Sequence, residues 1–84
     1  MSGHVRRRKA LRRLWLANGG DVSAAMRAWT GHTTARMASL LGVSRQSVEQ
    51  CLRPGAQERA YKHIRRALEA EYKLPAHTLD RMLP

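Results

Sequence analysis

The sequence is poor in several residues that stabilise or mark particular classes of protein. One of its 84 residues is cysteine, none is phenylalanine and six are acidic. A single cysteine excludes an internal disulfide and a zinc site built from cysteines, and it suits a reducing compartment. No apolar run reaches the length of about 18 residues that predicts a membrane span. No apolar stretch follows the basic start, as it would in a secretory signal peptide. We therefore expect a cytoplasmic protein with no membrane partner.

Basic residues, in contrast, are abundant and unevenly placed. Sixteen lysines and arginines stand against six acidic residues, which gives a formal net charge of +10. Residues 1–53 hold ten of the basic side chains and two of the acidic ones. A hydrophobic content of 43% is too high for a disordered basic tail. This composition favours a small folded domain that binds nucleic acid.

Patterns typical of catalysis or cofactor binding are absent from the sequence. Glu69 and Glu71 are two residues apart in a predicted helix, so they point to different faces and form no catalytic pair. The four histidines are scattered and have no second metal ligand at a suitable spacing: His4, His32, His63 and His77. A chain this short also has little room for a large catalytic pocket. We therefore expect no enzymatic activity, no cofactor, no metal and no small-molecule ligand.

The apolar residues recur with helical spacing, and no segment alternates with the period of two that a strand needs. Helices are predicted at about residues 5–18, 22–29, 35–41, 44–52, 57–72 and 76–83. Asp21, Thr33 or Thr34, and Ser44 are suited to cap helix starts, and glycines mark several of the breaks. The sequence therefore predicts an all-α protein, a small helical bundle of about five to six helices. These form a single domain over residues 1–84, with an extra N-terminal helix at 5–18 and C-terminal helices over 57–83.

Residues 34–53, TARMASLLGVSRQSVEQCLR, have the pattern of a helix-turn-helix. Ala38 lies where two helices would cross, and Gly42 lies in a turn that needs a positive φ. The apolar side chains of the segment are predicted to point inward: Met37, Leu41, Val43, Val48 and Cys51. Polar side chains remain on the outside of the second helix: Arg45, Gln46, Ser47, Glu49, Gln50 and Arg53. Such a face fits the major groove of B-DNA and offers hydrogen bonds to base edges.

This segment resembles the helix-turn-helix of the lambdoid phage repressor and Cro family, and residues 44–50, SRQSVEQ, are similar to its recognition helix. The resemblance covers about residues 33–83 and does not extend to residues 1–32. It implies that Arg45, Gln46 and Gln50 contact bases and that Thr34 contacts a phosphate. An arginine at position 45, where those repressors have a glutamine, favours guanine over adenine. The predicted DNA-binding residues are Thr33, Thr34, Arg45, Gln46, Ser47, Gln50 and Arg53.

The resemblance implies a sequence-specific, double-stranded DNA-binding regulator that acts by occupying an operator, from a bacterium or a phage. We expect it to bind as a homodimer, at least on DNA. The predicted dimer surface is the C-terminal segment with Leu79, Met82 and Leu83, and Leu16 is a second candidate. Two other functions share these features. One is an antitoxin that binds both DNA and a toxin protein, and the other is an excisionase-like architectural protein that bends DNA.

Two further features of the N-terminal half are open to more than one interpretation. Residues 21–37 also fit a Fis-type helix-turn-helix, although Trp29 and Ala35 depart from its pattern. The basic run from Arg6 to Arg13 suits either a solvated helix face or a contact with phosphates or the minor groove. Trp15 and Trp29 are expected to anchor the core, and Cys51 is expected to be a packed thiol.

Overall fold

The structure, a computed structural model, describes residues 3–83 and consists of six helices joined by short loops. They are α1 (Gly3–Ala17), α2 (Val22–Thr30), α3 (Thr34–Leu41), α4 (Arg45–Cys51), α5 (Arg59–Glu71) and α6 (Thr78–Met82). No strand occurs in the described part of the chain. The predicted all-α class and the predicted number of helices are therefore confirmed.

Three helix starts lie where the sequence predicts them, because each has a side chain that caps it. Asp21, Thr33 and Ser44 accept hydrogen bonds from the amides of Ala24, Arg36 and Ser47, at 3.0, 3.1 and 3.1 Å. Such a bond satisfies one of the amide donors left free in a first helical turn. The starts of α5 and α6 lack a side-chain cap, and both lie two residues later than the sequence predicts.

The core runs through the whole described chain and draws on every helix. Its apolar side chains without exposed surface include Leu11, Met26, Met37, Val48, Leu68 and Leu79. The helices pack in sequence order at four places, α1 on α2, α3 on α4, α4 on α5 and α5 on α6, and α5 also contacts α3. Trp15 and Trp29 pack against the edge of this core, as predicted. The indole nitrogen of Trp15 donates to the carbonyl oxygen of Gly20 at 2.7 Å, which fixes the chain reversal after α1.

The C-terminal apolar residues lack the exposure on which the predicted dimer surface was based. Leu79, Met82 and Leu83 keep only 0, 7 and 3% of their surface exposed within the single chain. The sequence suggested that a short last helix could not bury them, but α6 folds back against α5 and places them in the core. The second candidate, Leu16, is the most exposed large apolar residue in the described chain, at 63%.

Candidate nucleic-acid interface

The α3–turn–α4 unit presents the polar face that the sequence predicts for residues 34–53. Met37, Ala38, Val48 and Cys51 point into the core, and each is at most 3% exposed. Gly42 ends α3 with φ 70°, and its amide donates back to the last turn of α3. This left-handed conformation is one that glycine adopts without strain. Two short helices therefore meet at a sharp turn, and one side of α4 remains outside.

The outward side of α4 carries the side chains predicted to contact bases. Arg45 is 67% exposed at its side chain, Gln46 is exposed and Gln50 is half-buried. The Arg45 Nε atom lies 3.5 Å from Oε1 of Glu49, one turn further along α4. This pair steadies the guanidinium while its two terminal nitrogens remain available as donors.

Glu49 also connects the two helices of the unit. The Thr34 hydroxyl donates to its Oε1 at 3.4 Å, so the first residue of α3 and the outward side of α4 share one carboxylate. Glu49 was predicted to lie on the outside of α4, without an assigned role. Its spacing of four residues from Arg45 was the signal that could have revealed the pair.

Two of the three predicted residues with hydroxyl side chains, Thr33 and Ser47, take part in the caps of α3 and α4. The Ser47 hydroxyl lies 2.8 Å from the Ser44 hydroxyl, and the Thr33 hydroxyl accepts the Arg36 amide. Thr33 is exposed and Ser47 is half-buried, so both hydroxyls keep hydrogen-bonding capacity toward solvent.

An open groove of about 610 Å³ lies beside this face, between the start of α2 and the end of α4. Thr34, Glu49 and Arg53 line it from the α3–α4 side. Arg27 and Asp21 line it from the side of α2. The groove thus brings together two predicted residues, Thr34 and Arg53, and adds Arg27, which the sequence analysis did not single out. Arg45, Gln46 and Gln50 lie outside the groove lining.

The inner end of α4 is anchored by Arg65, a buried arginine of α5 that is 1% exposed. Its Nη1 donates to the carbonyl oxygens of Cys51 and Ala56, both at 2.9 Å. Its Nε donates to Oδ1 of Asp80 in α6 at 2.7 Å. One guanidinium therefore ties the end of α4, the following loop and the last helix together.

A second buried charge, Glu69, completes this network. Its carboxylate accepts the amides of His77 at 3.0 Å and Leu79 at 2.8 Å, and it pairs with Arg66. Arg66 in turn pairs with Asp80. The carboxylate of Glu69 thereby caps the start of α6, which lacks a capping side chain of its own.

The surroundings of Asp80 change its acidity. Partial burial alone would raise the pKa of Asp80, but hydrogen bonds from Arg65 and His77 and the charges of Arg66 and Arg65 outweigh it. The pKa of Asp80 is therefore held below its usual range. Apart from the Arg66–Glu69 pair at i and i+3, this network could not be predicted from the spacing of charged residues along α5, because its other partners lie in other helices or in loops.

Cys51 lies on the inner side of α4. Burial raises the pKa of its thiol to about 12, although the charge of Arg65 opposes the effect. A thiol with so high a pKa stays protonated near neutral pH and is a poor nucleophile. Together with its full burial, this supports the predicted role of a packed core thiol.

Arg36 lies on α3 but away from the polar face. It is exposed, and its charge acts on Tyr72, whose pKa is raised by burial and by Glu71 while Arg36 opposes the rise. Tyr72 belongs to a cluster with His32 and Trp29, with its hydroxyl 2.9 Å from His32 Nδ1. Arg45 therefore lies on the outward side of α4 beside Glu49, whereas Arg36, in the same helix pair, lies near Tyr72 of the aromatic cluster.

Metal-binding clusters and membrane-spanning helices are both absent within residues 3–83. No group of three or more His, Cys, Asp or Glu side chains is arranged to hold a metal ion there. No helix in that range combines the length and apolar character needed to span a bilayer. Comparisons with protein-family models, curated proteins and solved structures find no match to the chain.

Proposed function

We propose that the protein is a sequence-specific, double-stranded DNA-binding regulator that inserts α4 into the major groove. The observation that carries this proposal is the exposed polar side of α4, supported from below by buried residues and flanked by basic side chains. A helix of this kind fits the width of the major groove, where each base pair presents a distinct pattern of donors and acceptors.

The chemistry of the face suggests which groups read bases. The terminal nitrogens of Arg45 match the O6 and N7 acceptors of guanine, while Glu49 holds the Nε side of the guanidinium. The amides of Gln46 and Gln50 match the N6 and N7 atoms of adenine. Thr34 and Arg53, which line the neighbouring groove, are suited to phosphate contacts that fix the register of the protein on the duplex.

The packing favours this unit over the alternative helix-turn-helix at residues 21–37. α3 packs closely on α4, whereas α2 and α3 approach each other at fewer points. Trp29, near the end of α2, is half-buried and packs edge-on against Tyr72 at 6.1 Å between ring centroids. A helix-turn-helix needs its two helices to support each other, and α3 and α4 meet this condition better.

The proposal includes binding as a homodimer to two half-sites, because one such helix reads too few base pairs to select an operator. The apolar residues of the C-terminal segment are buried within one chain, so they do not favour that segment as the surface that joins the two copies. Leu40 on α3, 38% exposed, is the other large apolar side chain at the surface of the described chain besides Leu16. The number of protein copies per selected duplex, measured by native mass spectrometry, tests this part of the proposal.

Selection of bound duplexes from a random-sequence pool tests the function itself. We expect a defined consensus site, and Arg45→Ala should weaken binding to it by about 1–3 kcal/mol and relax the preference at one base pair. Arg36→Ala is the matched control, since it removes the same charge from the same unit but away from the α4 face. It should leave the base preference unchanged. A pool without enrichment, or the same base preference in the Arg45→Ala protein, would contradict the proposal.

A further inference from the structure

A second groove, remote in sequence from α4, lies between α1 and α6. It has a volume of about 410 Å³, and its lining combines cationic and apolar groups. Trp15 and Met82 contribute the apolar part, and four basic side chains contribute the charge: Arg8, Lys9, Arg12 and Arg81. The proposed DNA-binding function uses none of these residues.

Three of the four cations have no ion-pair partner among the residues that the structure describes. Arg8, Arg12 and Arg81 form no ion pair with any residue of the described range 3–83. Arg12 and Arg81 are exposed, and Arg8 is half-buried. Three like charges gathered around one groove repel one another, so the groove attracts a polyanionic partner.

An exposed apolar side chain extends this surface along α1. Leu16 lies one helical turn beyond Arg12 on the same side of α1, next to Trp15. At 63% exposure it leaves most of its surface in water. A cationic groove with an apolar floor and an adjacent exposed leucine therefore requires a partner that carries both negative charge and apolar side chains.

We propose that the α1–α6 groove binds an acidic amphipathic segment of another protein. Carboxylates of that segment would pair with Arg8, Arg12 and Arg81, and its apolar side chains would cover Leu16 and the groove floor. This is the mode in which an amphipathic helix lies in a groove of the protein that recognises it.

The charges of the chain itself disfavour the two obvious other occupants. A second copy brings another net charge of +10. Four of its six acidic side chains are already engaged inside their own chain, namely Asp21, Glu49, Glu69 and Asp80. A DNA duplex supplies phosphates, but its sugar-phosphate surface offers Leu16 no apolar partner.

The test is an NMR titration of the full chain, which follows the backbone amides and the two indole signals. The probe is a synthetic helical peptide with glutamates along one face and leucines along the other. The same peptide with serines in place of the leucines, and a short random-sequence duplex, are the comparison ligands. We expect saturable binding of the first peptide, with shifts at Trp15, Met82 and Leu16, and clearly weaker binding of the serine peptide.

Matched variants locate the contact. Leu16→Ser should weaken peptide binding about tenfold, because a leucine loses its burial in the complex. Leu40→Ser, an exposed leucine on α3, should change it less than about twofold. Arg12→Gln should weaken it more than Arg13→Gln, since Arg13 is exposed on α1 but does not line the groove.

Several results would overturn the proposal. Absence of saturable peptide binding would do so, as would equal binding of the leucine and serine peptides. Shifts of the α1 and α6 signals upon dilution of the protein alone would assign the groove to a second copy. Stronger shifts of those signals with the duplex than with the peptide would assign it to nucleic acid.

Discussion

Replacement of Arg65 by methionine is expected to destabilise the protein strongly. The methionine fills similar space but removes three hydrogen bonds, to the carbonyl oxygens of Cys51 and Ala56 and to the carboxylate of Asp80. The carbonyl oxygens of Cys51 and Ala56 lose their donor, at about 1–3 kcal/mol each, while the half-buried Asp80 keeps Arg66 and His77, so the total cost is about 3–5 kcal/mol. An 84-residue chain has a total stability of about 4–13 kcal/mol. The variant therefore loses a large part of its stability, and its Tm should fall by about 15–30 °C.

Thermal denaturation followed by circular dichroism at the helical band measures this loss. Arg59→Met is the matched control, because Arg59 is exposed on the same helix and should tolerate the change within about 0.5 kcal/mol. Arg65→Lys should fall between the two, since an ammonium cannot bond in the fixed directions of a guanidinium. A decrease in Tm of less than about 5 °C for Arg65→Met would refute the assigned role of Arg65.

Two further predictions concern the turn and the acidic side of the network. Gly42→Val should destabilise by about 1–2 kcal/mol through its positive φ alone, because a Cβ at this position would meet no atom within 4 Å. Gly42→Asn should cost less, since asparagine tolerates the left-handed region better, and equal Tm values for Val and Gly would contradict the argument. Asp80, whose pKa is lowered by folding, stabilises the protein above its unfolded pKa, and this contribution is lost as the pH falls below about 4. Urea unfolding at several pH values measures this effect. The free energy of unfolding of Asp80→Asn should therefore fall less between neutral and acidic pH than that of the wild type or of the control Glu58→Gln. Parallel plots of this free energy against pH for all three proteins would exclude Asp80 as a source of the loss.

The parts of the fold that could be predicted are those with a local cause. Asp21, Thr33 and Ser44 bond to amides three residues away, and Gly42 adopts a conformation set by its own backbone. Interactions of this kind involve residues that are close together in the sequence, so a short segment is enough to predict them. The boundaries of α2, α3 and α4, and the outward side of α4, follow from it.

The parts that could not be predicted depend on contacts across the fold. Arg65 and Glu69 look like solvent-facing charges in the sequence, and except for Arg66, three residues from Glu69, their partners lie eight to 15 residues away along the chain. The burial of Leu83 likewise depends on how α6 folds back against α5. The residue spacing within one helix carries no information on either arrangement. The sequence therefore predicted neither the buried network nor the burial of the C-terminal apolar residues.

The inward residues of α4 hold the helix in the fold, and its outward residues face the solvent. This separation has a consequence for how new DNA-binding specificities arise. A helix of two turns does not hold its shape alone in water, so α4 depends on Val48, Cys51 and the anchor from Arg65. The outward positions, such as Gln46, contribute little to that support. Substitutions there can therefore accumulate at almost no cost in folding free energy. On the proposed function, a duplicated copy of this protein could acquire a different target site while its scaffold stays the same. An excised 34–53 peptide, in contrast, would lose both the helix and the target.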